Sequence, residues 1–259
     1  MKVTQTLGSG MIVRQDFKDC TRFVMFETDV EGWEYATHGG TLWVASYRGQ
    51  VFGLTCKHVI KDFNWRQLCV TDERFGRNMA GLSSILYPSS PRGDARETDV
   101  VEITLIRFSD DVDATFFKGT TYILDEGTVG TSRDGERLSA YGALKQKSEI
   151  TDSTIKPVFA ELGVVDSGAS KFDPILRKAK GLYKDLEFDD VTGMSGSPIF
   201  NLPQKRLCGM VVRGGLNRNH CTLWYIDIHD IMQVLDAVIQ GRSDAEYQKT
   251  IARRIEDKP

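Results

Sequence analysis

Of the many residues in this chain with the chemistry of a nucleophile or a base, three stand in suggestive surroundings. Ser195 lies inside GMSGSPIF, residues 193–200, between glycines and three positions before Pro198. A serine hydroxyl is a weak nucleophile until a neighbouring base takes its proton. Of the four histidines, His38, His58, His220 and His229, only His58 directly follows an apolar run, in GLTCKHVI. Asp99, in TDVVEITLI, opens an alternating apolar segment and so offers a carboxylate at a strand mouth. Each has an ordinary reading when taken alone: a turn, a structural imidazole, a strand-start acid. Together they are the set that acyl transfer needs. The hydroxyl attacks, the imidazole accepts its proton, and the carboxylate fixes the tautomer and stabilises the imidazolium.

The elements that must position these groups read as short strands. RFVMFET (22–28), TLWVASY (41–47), QVFGLTC (50–56), VVEITLIRF (100–108), RLSAYGAL (137–144), RLCGMVVRG (206–214) and CTLWYIDI (221–228) are rich in β-branched and aromatic residues. Turn residues separate them, and SYRGQ joins two of them as a hairpin with Gly49 free to take positive φ. This spacing predicts an all-β sandwich or barrel. Residues 227–241 differ: apolar positions 228, 231, 232, 235, 238 and 239 have helical spacing, with Asp227 as N-cap and Gly241 as stop. Residues 145–185 are charged and weakly periodic and read as long loops with a short helix; DSGAS (166–170) reads as a loop. The polar tail from 242 reads as a frayed helix. The strand–helix alternation of an α/β-hydrolase is missing, and its G-x-S-x-G elbow fails at Ser197.

Composition narrows the function. The 259 residues are 41% hydrophobic and 27% charged with a formal net charge of −3, which suits a soluble domain and gives no basic excess for nucleic acid. No apolar run reaches membrane-spanning length, so no membrane partner is expected. The N-terminal residues lack the apolar core of a secretory signal. Five dispersed cysteines, Cys20, Cys56, Cys69, Cys208 and Cys221, form no C-x-x-C pair. They read as reduced, buried thiols in a cytoplasmic protein, with neither a metal nor a cofactor.

The order His58, Asp99, Ser195 resembles the trypsin-like (chymotrypsin-fold) serine proteases. TCKH matches the histidine motif, TDVVEITLI the aspartate, GMSGSP the nucleophile, and LCGMVVRGG the substrate-binding strand. TLWYIDIHDIMQVL is similar to the last strand and closing helix of bacterial, non-secreted members. The resemblance covers about residues 35–240. It implies two six-stranded antiparallel Greek-key barrels with a C-terminal helix. Residues 1–118 would form the barrel with His58 and Asp99, 119–241 the barrel with Ser195 and the helix, and 242–259 the tail. It makes His58, Asp99 and Ser195 catalytic. It also gives the backbone N–H groups of Gly193 and Ser195 to an oxyanion hole.

Departures from the pattern carry their own expectations. Met194 stands where digestive relatives carry the aspartate that receives a freed N-terminus, so no such maturation is expected. Val59 replaces a frequent half-cystine. Cys56 replaces a small residue, either as a buried hydrophobe or as a reactive thiol. Asp189, six residues before Ser195, matches the base of a pocket for Arg or Lys, with Asp190 its neighbour. Val212, Arg213 and Gly214 match the strand that pairs with substrate, where Arg213 could admit acidic groups. Trp224 and Tyr225 are rivals that would fill the pocket and make it shallow. The function implied is an intracellular serine endopeptidase acting on protein or peptide, with control by an activating partner; the alternative is a catalytically silent scaffold that binds peptides.

Overall fold

The computed structural model describes residues 2–7, 11–31, 33–37, 39–60, 62–87, 102–151, 154–171, 173, 175–182, 191–217 and 220–241. In chain order, β1 (Lys2–Leu7) and β2 (Met11–Asp16) form a hairpin, followed by β3 (Thr21–Phe23), β4 (Met25–Val30) and β5 (Trp33–Ala36). Then come β6 (Thr41–Tyr47), β7 (Gln50–Cys56), the one-turn helix α1 (Lys57–Ile60), β8 (Leu68–Cys69), β9 (Leu82–Leu86), β10 (Ile103–Phe108) and β11 (Tyr122–Ile123). The rest is β12 (Arg137–Thr151), β13 (Thr154–Ala169), β14 (Leu176–Leu182), β15 (Pro198–Asn201), β16 (Arg206–Asn217), β17 (His220–Asp227) and α2 (Ile228–Ile239).

The first unit grows from the β6–β7 hairpin. Arg48 and Gly49 both take positive φ, at 49° and 79°, which matches the right-handed twist of a two-residue connection. β3 and β11 flank β6, while β10 and then β9 follow β7, giving a six-stranded sheet. A second sheet, β5-β4-β8, rolls against it. The two join where Ala80 N–H donates to Val70 O and Thr71 bridges Met79. Trp43, Leu54, Ile103 and Leu105, all fully buried, fill the space between. β11 lies beyond residue 118 yet pairs with β6, so the chain leaves the first unit after this strand.

The second unit is a closed barrel, β12-β13-β14-β17-β16-β15. It corrects the reading of residues 145–185 as loops, because most of that stretch is strand. DSGAS likewise supplies the end of β13. The physical reason is visible in β13, where residues 161–169 alternate exposed and buried without a break. The outward positions are Glu161, Gly163, Val165, Ser167 and Ala169, and one inward position is Asp166. The buried Asp166 carboxylate accepts from Tyr225 Oη at 2.8 Å, Arg177 Nη2 at 2.8 Å, Gly168 N at 2.7 Å and the Ser132 hydroxyl. A polar residue on the inner face broke the apolar pattern on which the strand signal depends.

α2 begins where the spacing placed it: Asp227 caps it by accepting from His229 N at 2.9 Å, and Gly241, just past its end, has φ 61°. The helix packs on β16 and β17 and reaches the first unit through Asp236, which accepts from Tyr47 Oη at 2.9 Å and pairs with Arg48 at 3.0 Å. Among the described residues, no helix is long and apolar enough to cross a membrane.

Candidate active site

β7 ends at Cys56 and α1 begins at once, which leaves His58 on the exposed rim of the first unit with its side chain 39% accessible. β10 pairs antiparallel with β7, and Ile103 faces Cys56. That register carries residue 102 across from residues 57–58. Glu102 Oε2 accordingly lies 2.5 Å from His58 Nδ1 and accepts the His58 backbone N–H at 3.2 Å. One carboxylate therefore fixes both the ring and the turn that carries it. Burial pulls the Glu102 carboxyl upward, but the hydrogen bonds from His58 and the nearby charges of His58 and Lys57 outweigh it and hold the group below the usual carboxylate range. Asp99, the acid chosen from the sequence, lies outside the described residues, as do Asp189 and Asp190. Among the described residues, the carboxylate beside the imidazole is Glu102.

Ser195 sits on a turn whose peptide planes are individually pinned. Thr192 O accepts from Lys145 N at 2.9 Å, and Met194 O accepts from Ser197 N at 3.0 Å. In a trans peptide the C=O and N–H point opposite ways, so the Gly193 and Ser195 N–H groups face away from those donors. The N–H groups of Met194, Gly196 and Ser197 each reach a backbone acceptor: Val191 O, Val211 O and Met194 O. Among the described residues, Gly193 N–H and Ser195 N–H donate to no protein acceptor. Two donors, one residue apart and beside a serine hydroxyl, are what a developing oxyanion requires. Glycine is obligatory at both flanks. Gly193 has φ 106°, and a Cβ there would lie 2.5 Å from Ala143 O; a Cβ on Gly196 (φ 87°) would collide with Thr41 O.

The two units meet at Thr41, a residue that sequence reasoning passed over. Its backbone N–H donates to Ser195 O at 2.8 Å. Its hydroxyl donates to Gly193 O at 3.1 Å and accepts from Ala143 N at 2.8 Å and Ser197 Oγ at 3.1 Å. That uses the one donor and both lone pairs a hydroxyl has. The only sequence trace of this role is the Gly-Gly pair just before an apolar strand.

The strand expected to take substrate is the distal half of β16. β15 pairs with β16 only as far as Met210, and beyond it β17 is the sole strand partner among the described residues. The register slips between Val211, opposite Tyr225, and Arg213, opposite Trp224, which makes Val212 a bulge. Bulges re-aim backbone groups near sites. Here Val212 O accepts Ser195 Oγ at 3.4 Å, while Val211 O takes Gly196 N at 2.7 Å and Cys56 Sγ at 3.3 Å. Adjacent carbonyls of β16 thus hold the serine and the strand end leading to His58. Among the described residues no hydrogen bond joins Ser195 Oγ to His58. Arg213 and Gly214 are exposed and Val212 is buried. Trp224 and Tyr225 do not share a pocket: Tyr225 is fully buried in the barrel with its hydroxyl on Asp166, and Trp224 points outward under Lys178. Met194 is buried in the apolar core of the barrel, beside Val191 and Cys208. All five cysteines are buried free thiols, and burial pushes Cys20 and Cys208 up to about 12.

No protein-family model and no curated protein matches the chain. Solved structures do. A scabies mite inactivated protease paralogue, S-I1, superposes with a TM-score of 0.55 at 15% identity over 87% of this chain and 97% of its own. The human heparin binding protein gives 0.56 at 12% identity, covering 84% and 91%. A second scabies mite inactivated protease paralogue, S-D1, gives 0.56 at 8% identity, covering 86% and 93%. The chain has the chymotrypsin fold. Within that fold the closed barrel carries the serine turn, the β7–α1 junction carries the histidine, and the open edge of β16 lies beside both. At these identities the likeness extends to the fold and no further.

Proposed function

We propose that this chymotrypsin-fold chain is a serine endopeptidase with Ser195 as nucleophile, His58 as general base and Glu102 as the carboxylate that orients it. The observation that carries this reading is the Glu102 contact on His58 Nδ1, which leaves Nε2 as the nitrogen able to take a proton. Ser195 Oγ attacks the scissile carbonyl as Nε2 removes its proton. The oxyanion is received by Gly193 N–H and Ser195 N–H. The imidazolium returns its proton to the leaving amine, and water then releases the acyl group by the reverse roles. The substrate lies as an added strand along Val212–Gly214. A cytoplasmic setting is supported by the five buried thiols. With Met194 where an N-terminal ion pair would need an acid, control by a bound protein partner takes the place of maturation by cleavage.

A second reading, a silent peptide-binding scaffold, has one observation in its favour: Ser195 Oγ points to Val212 O and not to the imidazole. At 3.4 Å that bond is weak, and a single χ1 rotation releases it. A peptide-library digest separates the two. Cleavage by the parent chain that vanishes in Ser195→Ala supports the peptidase; binding without cleavage by the parent supports the scaffold.

The same digest tests specificity. A preference for Arg or Lys before the scissile bond is proposed through Asp189. Arg213 and Lys178 both pair across strands with Trp224, so the three side chains share the outer face of the sheet beside the open edge. Peptides with acidic residues N-terminal to the cleaved bond are therefore expected to be favoured. Arg213→Glu should slow their cleavage about tenfold or more, the scale of one like-charge contact, and leave neutral peptides nearly unchanged. Equal losses on both sets would remove Arg213 from substrate selection.

A further inference from the structure

The fold brings together a thiol, an imidazole and a carboxylate that the proposed reaction does not use as a set. Ligand atoms of Cys56, His58 and Glu102 all lie within 4.8 Å of one another. No sequence signature announces this trio, because Glu102 reaches the other two only through the β7–β10 register. We propose that Cys56, His58 and Glu102 form a chelating site for a soft divalent cation of the zinc class, and that occupying it silences Ser195.

The donor set is one sulfur, one nitrogen and one oxygen, which suits zinc and not calcium or magnesium. Tetrahedral zinc, with bonds of about 2.0 Å to nitrogen or oxygen and 2.3 Å to sulfur, needs ligand atoms roughly 3.5 Å apart. The His58–Glu102 pair, now at 2.5 Å, must open by about an ångström, while the sulfur already lies within 4.8 Å of both. Cys56 Sγ is already held on the inner side by Val211 O, so it would form the floor of the site. His58 and Glu102, both partly accessible, form its mouth. A thiolate and a carboxylate balance the two charges of the ion, and the thiol proton passes to solvent on binding. Solvent would complete the fourth position.

The consequence for the serine is chemical. A cation on Nδ1 displaces the single proton of the neutral ring, which moves to Nε2. That nitrogen then donates and can no longer accept from Ser195 Oγ. The metal-binding half of the proposal stands without the peptidase reading, and the silencing half rests on it.

The test uses the full chain. Cobalt(II) added to Ser195→Ala should bind at about one equivalent and give a thiolate-to-cobalt charge-transfer band. That band should be absent in Ser195→Ala/Cys56→Ala and in Ser195→Ala/Cys56→Ser, with circular dichroism checking that both variants fold. In the Ser195 parent, zinc should block labelling by a fluorophosphonate, and Cys56→Ser should raise the zinc concentration required by at least tenfold. No cobalt–thiolate band in folded Ser195→Ala, or a band that survives loss of Cys56, overturns the site. Zinc that blocks the parent and Cys56→Ser equally overturns its inhibitory role. A parent that binds cobalt but never labels leaves the site standing and counts against the peptidase reading alone.

Discussion

Glu102→Gln should lower kcat/KM for a cleaved peptide by about ten-thousand-fold, near 5.5 kcal/mol of transition-state stabilisation, while Asp99→Asn changes it little. The magnitude follows from what the carboxylate does. It holds the proton on His58 Nδ1 and meets the positive charge that the ring gains as Ser195 is deprotonated. A neutral amide can keep a hydrogen bond to the ring, but its N–H group favours the wrong tautomer and it offers no charge. Glu102→Asp keeps the charge on a stem one methylene shorter, so it should recover part of the loss. Steady-state kinetics on one peptide, with melting curves to confirm folding, would check all three variants. A full loss in Asp99→Asn with Glu102→Gln active would move the role to Asp99.

Asp166→Ala should destabilise the chain by about 3 kcal/mol or more, a fall in Tm on the order of 10 °C. The Asp166 side chain is fully buried, and the substitution leaves the Arg177 guanidinium, which is only 19% exposed, with Asp134 at 3.4 Å as its remaining carboxylate, while the Tyr225 and Ser132 hydroxyls lose their shared acceptor. Losing one partner of a buried pair costs more than the pair contributes, because the remaining charge is poorly compensated, here by the exposed Asp134 alone. The pH dependence follows from the direction of the Asp166 shift. Burial pulls the carboxyl upward, but hydrogen bonds from Ser132, Gly168, Arg177 and Tyr225 outweigh it and leave it below the ordinary value. A depressed carboxylate contributes stability above its unfolded pKa, about 3.9, and that contribution fades as pH falls through the folded value. The stability gap between the parent and Asp166→Asn should thus be constant from neutral pH down to about 5 and narrow below about 4. Urea titrations at several pH values would show it; a gap that widens in acid would contradict the sign.

Ser195, Gly193 and His58 were legible in the sequence because their setting is local. A glycine-flanked serine before a strand, and a histidine just after one, are written in a few consecutive residues. The acid was less so. ETDVVEITLI holds Glu97, Asp99 and Glu102, of which Glu102 alone lies among the described residues, and it reaches His58 through the pairing of Ile103 with Cys56, which no local pattern announces. The second half of β12, with β13 and β14, was hidden for a different reason: Lys and Glu recur along these strands and Asp166 lies on the inner face of β13, so the apolar alternation is not clean. Thr41 was invisible. Its partners Gly193, Ala143 and Ser197 are 152, 102 and 156 residues away, and no local pattern encodes contacts at that range.

The central claim is that Ser195 is activated by a histidine that Glu102 orients. The most direct measurement is covalent capture of the intact chain by a fluorophosphonate probe, followed by mass spectrometry of the labelled peptide. The account predicts one adduct, on Ser195, at a rate far above that of the denatured chain and strongly reduced in Glu102→Gln. A folded parent that takes no label, or one labelled equally well after Ser195→Ala, would contradict it.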